Sequence, residues 1–218
     1  MFMAITGLIL SLFVLAHMLG NLHFFVSPDA INGYAHFLQT LPPVILWGYR
    51  AVIGLTLIVH VTCAVSLAVD KARARPVPYQ KQRFVRATFA DTQMLLGGIV
   101  LFFFVLFHLA NFTIHIAPQP FEEIPYTLQT PTGSIVVDDV YRMVVDNFQI
   151  WWLAALYIVA MGALCLHLAH GFSSMFQTLG LRNETWRRFL EICAVCYGVF
   201  LFVGFASLPI SVLMGWKG

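Results

Sequence analysis

Five long apolar runs dominate this chain and decide what it can fold into. They occupy residues 5–26, 44–69, 94–116, 148–176 and 190–214. A helix needs roughly 20 apolar residues to cross the hydrocarbon core of a bilayer, and each run meets that length. Together they use most of the 218 residues, so no room remains for a separate soluble domain. Composition agrees: 60% of residues are hydrophobic and only 10% charged. An average soluble domain is about a quarter charged, and this chain has too little polar surface to stay in water. The expectation is an all-α fold of five transmembrane helices, forming one domain over residues 1–218. The first run lacks a basic leader and a small-residue cleavage site, so it is expected to be a retained helix and not a signal peptide.

The connections between runs differ in charge, and the difference sets an orientation. Lys71, Arg73, Arg75, Lys81, Arg83 and Arg86 lie between the second and third runs, and Arg182, Arg187 and Arg188 between the fourth and fifth. The connection 27–43 has no Lys or Arg; that at 118–147 carries Glu122, Glu123, Asp138, Asp139 and Asp146 against Arg142. The positive-inside rule puts the basic connections in the cytoplasm, with the N-terminus inside and the C-terminus outside. Trp47, Trp151, Trp152 and Trp216 sit near run ends, as interfacial aromatics do. The basic stretch 72–86 has three readings that the sequence leaves open: a topology signal alone, a patch for anionic lipid headgroups, or a docking surface for a cytoplasmic partner. The acidic outer segment 121–146 is expected to be an ordinary solvated loop, with a cap over the distal site as the other reading.

All four cysteines, Cys63, Cys165, Cys193 and Cys196, fall inside apolar runs. The Cys193-x-x-Cys196 pair lies within a membrane segment, so small packing residues are expected there in place of redox or zinc chemistry.

Histidine is the residue that points to function. Ionisable side chains inside a membrane are costly and usually functional. His17, His60, His108 and His167 occupy the first four runs, one each, and the fifth has none. With alternating helix direction, His17 and His108 each lie eight or nine residues before the outer end of their run, roughly 12–14 Å from the outer surface at 1.5 Å rise per residue. His60 and His167 lie nine or ten residues before the inner ends of theirs. Two histidines therefore share one level and two share another. Paired neutral imidazoles from facing helices suit the axial positions of a haem iron, and two haems stacked across a membrane carry electrons between its faces. Gly7 precedes His17 by ten residues and Gly98 precedes His108 by ten, each at the opposite level of its helix. Glycine lets a flat macrocycle approach a backbone, so each is expected to face the haem that its own helix does not ligate; small-residue helix packing is the other reading. Gly54 and Gly162 show no matched offset. His23, His115, His36 and His170 are expected to be satisfied polar groups near the interfaces.

The stretches TGLILSLFVLAHM (6–18), AHFLQTLP (35–42), GIVLFFFVLFH (98–108) and LHLAHG (166–171) resemble, in order and spacing, the di-haem cytochrome b subunit of succinate:quinone oxidoreductases. The likeness covers essentially the whole chain. It implies that the first four helices form a bundle around two stacked haems b. His17 and His108 would ligate the distal haem and His60 and His167 the proximal one. It implies menaquinone as the membrane quinone, and an iron–sulfur subunit and an FAD flavoprotein subunit docked on the cytoplasmic side of a bacterial inner membrane. The dicarboxylate site would lie on another subunit, and the whole complex could dimerise. Two departures stand out. Leu38 and Gln39 stand near the place of a loop glutamate used by some members in quinol oxidation, and Cys165 stands where some carry a membrane glutamate for proton transfer. His36 and Gln39 are the candidate quinone-binding residues of the outer loop, and the imidazole of His36 is a candidate acceptor for a quinol proton.

Three other functions fit less well. A di-haem subunit of a hydrogenase or formate dehydrogenase would differ in its iron–sulfur partner. A proton-coupled transporter should show an internal repeat and mid-membrane acids, whereas Asp91 and Glu191 lie near run ends. A purely structural anchor that has lost its haem would not need four placed histidines.

Overall fold

The structure is a computed structural model. It describes residues 1–74, 89–116, 118, 124–131, 133–181 and 183–216. Arg75, Lys81, Arg83 and Arg86, with Glu122, Glu123 and Arg182, lie outside the described residues, as does the side chain of Asp91.

Among the described residues, seven helices and one hairpin follow in the order α1 (Phe2–Asn21), α2 (Pro28–Gln39), α3 (Pro43–Arg73), α4 (Phe89–Phe112), β1 (Pro125–Thr130), β2 (Gly133–Asp138), α5 (Val140–Gln149), α6 (Trp151–Thr178) and α7 (Glu184–Leu213). A short 3-10 turn, Leu22–Phe25, extends α1. Five helices are long and apolar enough to cross a membrane: α1 with its extension, α3, α4, α6 and α7. This is the architecture of a multi-pass membrane protein.

Local chemistry explains the boundaries. Ser27 caps α2 by accepting from the Ala30 amide, with Pro28 at the first helical position and Asp29 in the first turn. Asn183 caps α7 in the same way through the Trp186 amide. α4 ends at Phe112, short of the 116 expected, because His115 takes a left-handed conformation (φ 60°). α6 ends at Thr178, and just beyond it Gly180 turns left-handed (φ 73°) while the Leu181 amide bonds back to the Phe176 carbonyl.

The outer segment departs from expectation. β1 and β2 pair antiparallel with Tyr126 opposite Val137 and Leu128 opposite Ile135, a small β element in a chain expected to be all helical. Its Tyr, Thr, Val and Ile residues favour a pleated strand, and Gly133 supplies the positive φ needed where the second strand begins. Asp139 then caps α5 by accepting from the Arg142 amide. α5 buries Met143, Val144, Val145 and Phe148. The fourth apolar run is thus split: residues 148 and 149 finish α5, Ile150 turns extended, and the crossing helix α6 starts at Trp151.

Two cores result. The outer one gathers Phe24, Ile31, Val144, Phe148, Leu153 and Val212 from the 3-10 turn, α2, α5, α6 and α7. This segment is a packed cap rather than a solvated loop, because α5 brings an apolar face to it. Asn32, fully buried, ties the cap together: its amide donates to Asp139 Oδ1 at 3.1 Å, and its oxygen accepts from the Tyr141 amide at 2.9 Å. The second core sits deeper, where Met18, Leu168 and Leu201 join α1, α6 and α7. There α7 approaches closely. A Cβ on Gly198 would lie 2.8 Å from the Cys165 carbonyl oxygen, and the Tyr197 hydroxyl donates to the Ser11 carbonyl at 2.8 Å. α1 packs against α3, α6 and α7, and α4 packs against α6.

Candidate functional site

The four membrane histidines meet in two pairs. His17 of α1 and His108 of α4 have ring centroids 5.8 Å apart and planes at 78°. His60 of α3 and His167 of α6 have centroids 6.4 Å apart and planes at 67°. Neither pair joins closely packed helices. The packed neighbours are α1 with α3, α1 with α6, and α4 with α6, whereas each histidine pair reaches across a different combination, α1 to α4 and α3 to α6. The histidines therefore cross spaces that backbone packing leaves open.

The glycines fix the relative levels. A Cβ on Gly7 would lie 3.4 Å from His60 Cε1, and one on Gly98 would lie 3.7 Å from His167 Cε1. Both glycines sit on the helices that carry His17 and His108, yet both abut the other pair. Each is ten residues from the histidine of its own helix, about 15 Å at the α-helical rise. Two independent helices thus give the same separation between the levels. Gly54 and Gly162 face open space.

Each pair has its own polar and aromatic surroundings. Around the first, Phe13 stacks on His17 at 5.7 Å, Phe104 stacks on His108 at 5.9 Å, and Phe205 and Phe112 flank the two rings. His108 Nδ1 lies 3.3 Å from the Tyr157 hydroxyl, which also bonds the buried amide of Asn111 at 3.2 Å. Asn21 bonds the His17 carbonyl at 2.8 Å, with its amide nitrogen 3.4 Å from His17 Nε2. Around the second pair, His60 Nδ1 lies 3.0 Å from the Thr6 hydroxyl, and His167 Nδ1 is buried with no hydrogen-bond partner.

These donor sets suit one kind of metal group. Each site offers two imidazoles, and among the described residues no cluster of three or more His, Cys, Asp or Glu side chains gathers to hold a metal ion. A structural zinc site needs four protein ligands. An iron that brings its own equatorial ring needs two axial ones. His17 with His108, and His60 with His167, would each hold such an iron, which would supply one-electron chemistry. The aromatic walls around His17 and His108 and the glycines beside His60 and His167 would suit a flat apolar macrocycle.

Sequence reasoning did not find Thr6, Asn21, Asn111 or Tyr157. A signal existed for three of them. Asn21 and Asn111 follow His17 and His108 by one helical turn. Tyr157 precedes His167 by ten residues, the same offset that relates each glycine to its histidine. Thr6 carries no such mark. His36 is half-buried in the last turn of α2 and Gln39 is exposed at its end. Among the described residues, neither shares a hydrogen bond or ring contact with either histidine pair. His23 is satisfied by the Gly20 carbonyl at 2.9 Å and stacks on Tyr34. All four cysteines are free thiols. No protein-family model, curated protein or solved structure matches the chain.

Proposed function

We propose that this chain is the membrane cytochrome b subunit of a succinate:quinone oxidoreductase or quinol:fumarate reductase, holding two haems b and passing electrons across the bilayer. One observation carries the reading: two histidine pairs, each bridging helices that do not pack together, at levels about 15 Å apart by helical rise. Two one-electron centres at that spacing make a relay where a single transfer across the whole membrane would be too slow.

His17 and His108 would hold the distal haem, and His60 and His167 the proximal one. Once bound, each haem supplies an iron that takes up and releases one electron. The residues of this chain do the rest. The imidazoles fix the iron from both sides, Gly7 and Gly98 make room beside the proximal pair, and Phe13, Phe104, Phe112 and Phe205 keep water from the distal pair. The basic ends of α3 (Lys71, Arg73) and α7 (Arg187, Arg188) support a cytoplasmic placement for that side. There the iron–sulfur and FAD subunits would dock, in a bacterial inner membrane. Menaquinone would react at the outer side, with His36 and Gln39 of α2 as its candidate contacts.

The test is spectroscopic. The purified chain should carry two haems b with a reducible visible spectrum. His17→Ala or His108→Ala should remove one component, and His60→Ala or His167→Ala the other. A wild-type protein without haem sinks the proposal. Succinate- or fumarate-coupled quinone turnover with co-expressed subunits distinguishes this complex from a hydrogenase or formate dehydrogenase. His36→Ala with unchanged quinol oxidation would remove His36 from the quinone site.

A further inference from the structure

The two histidines that make short side-chain contacts do so through Nδ1, one in each pair. The Thr6 hydroxyl has a single proton, and two backbone carbonyls stand ready to accept it, Phe2 at 2.8 Å and Met3 at 3.2 Å. With the proton on either, Thr6 turns a lone pair toward His60 Nδ1, 3.0 Å away. An acceptor there requires the proton of neutral His60 to sit on Nδ1, which leaves Nε2 unprotonated. In the other pair, His108 Nδ1 faces the Tyr157 hydroxyl at 3.3 Å. The Asn111 amide nitrogen is placed to donate to that hydroxyl at 3.2 Å, and a half-turn of the amide exchanges its nitrogen with its oxygen. Tyr157 can then donate to Asn111 while accepting from His108. The partners are less well held: His167 Nδ1 has no hydrogen-bond partner, and the Asn21 nitrogen is 3.4 Å from His17 Nε2, long for a bond.

We propose that Thr6 and Tyr157 are positioning residues, one for each haem site, which accept the Nδ1 protons of His60 and His108 and so hold those rings in the tautomer that presents Nε2 to iron. The inference rests on the di-haem reading. An acceptor at Nδ1 orients a ligating imidazole and raises its basicity. A more basic axial ligand favours the oxidised iron, so each hydroxyl lowers the reduction potential of its own haem. Because the hydroxyls come from opposite ends of the molecule, one from α1 and one from α6, the two potentials can be set independently.

Thr6→Val and Tyr157→Phe remove each hydroxyl while keeping the shape of the side chain. Redox titration of the two visible components, identified by which one His60→Ala abolishes, gives the readout. Thr6→Val should shift the proximal potential positive and leave the distal one in place, with two haems still bound. Tyr157→Phe should do the reverse. Thr6→Ser should restore the wild-type value, which a packing defect would not do. Two bound haems with unmoved potentials, or movement of the wrong component, overturns this proposal and leaves the di-haem reading standing. A wild-type chain without haem overturns both.

Discussion

On the di-haem reading, Gly7→Val should cost the protein the haem held by His60 although Gly7 lies on the helix that carries His17. The Cβ of an alanine at position 7 would lie 3.4 Å from His60 Cε1, about van der Waals contact. A valine adds two methyl groups about 1.5 Å beyond that Cβ, and its branching leaves only one of three staggered directions free of carbon. A methyl directed at the ring would approach within about 2 Å, so the imidazole must retreat by roughly 1.5 Å to recover contact distance. Metal–ligand distances tolerate only about 0.2 Å. The displacement is several times larger, and His60 should lose the iron. The haem-to-protein ratio, measured as the pyridine haemochrome, should fall from two to one. The component lost should be the one that His60→Ala removes. Gly7→Ala should keep both haems, and so should Gly54→Val, whose Cβ faces open space. If Gly7→Val keeps two haems, or loses the distal component, the placement of Gly7 against the proximal site is wrong.

Further outcomes follow from the packing and the cap. Gly198→Ala puts a methyl 2.8 Å from the Cys165 carbonyl oxygen and should destabilise the protein by about 1–3 kcal/mol, seen as a lower midpoint of thermal unfolding in detergent; Gly48→Ala, with open space around it, should not. Asn32→Ala leaves the Tyr141 amide without its acceptor, at a cost of about 1–3 kcal/mol, and should speed hydrogen exchange in 125–149 while leaving α1 and α7 protected. Tyr126 donates to Asp29 Oδ1 at 2.7 Å, and that bond, then burial and the charges of Asp29 and Asp139, raise its phenol above the usual tyrosine range. The folded state thus holds this proton more tightly than the unfolded chain. The contact should persist below the ordinary tyrosine pKa of about 10 and be lost as pH climbs through the raised value; ultraviolet titration should show Asp29→Asn ionising earlier than wild type.

The five crossing helices were legible because length and hydropathy alone specify them. Depth arithmetic at 1.5 Å per residue set His17 level with His108 and His60 level with His167, and the structure brings those same rings together. The hairpin and helix that build the outer cap were not legible. α5 is short and amphipathic, so its apolar residues never form a run, and the acids at 138, 139 and 146 masked a helix whose N-cap is one of them. The break at Ile150 was hidden for the opposite reason, since the apolar signal continues across it. Thr6 lies in an apolar stretch as an unremarkable polar residue. Its importance comes from a residue 54 positions away, a relation that no local pattern carries.

The neighbours of α1 bear on how the chain is made. Of the five spans, α1 is made before the others, and α3, α6 and α7 rest on it. α3 therefore finds its mate already in the bilayer, whereas α4, whose principal neighbour is α6, must wait for a later span. During that interval a nascent chain halted after α4 holds three of the four histidines but lacks the helix that brings α4 into place.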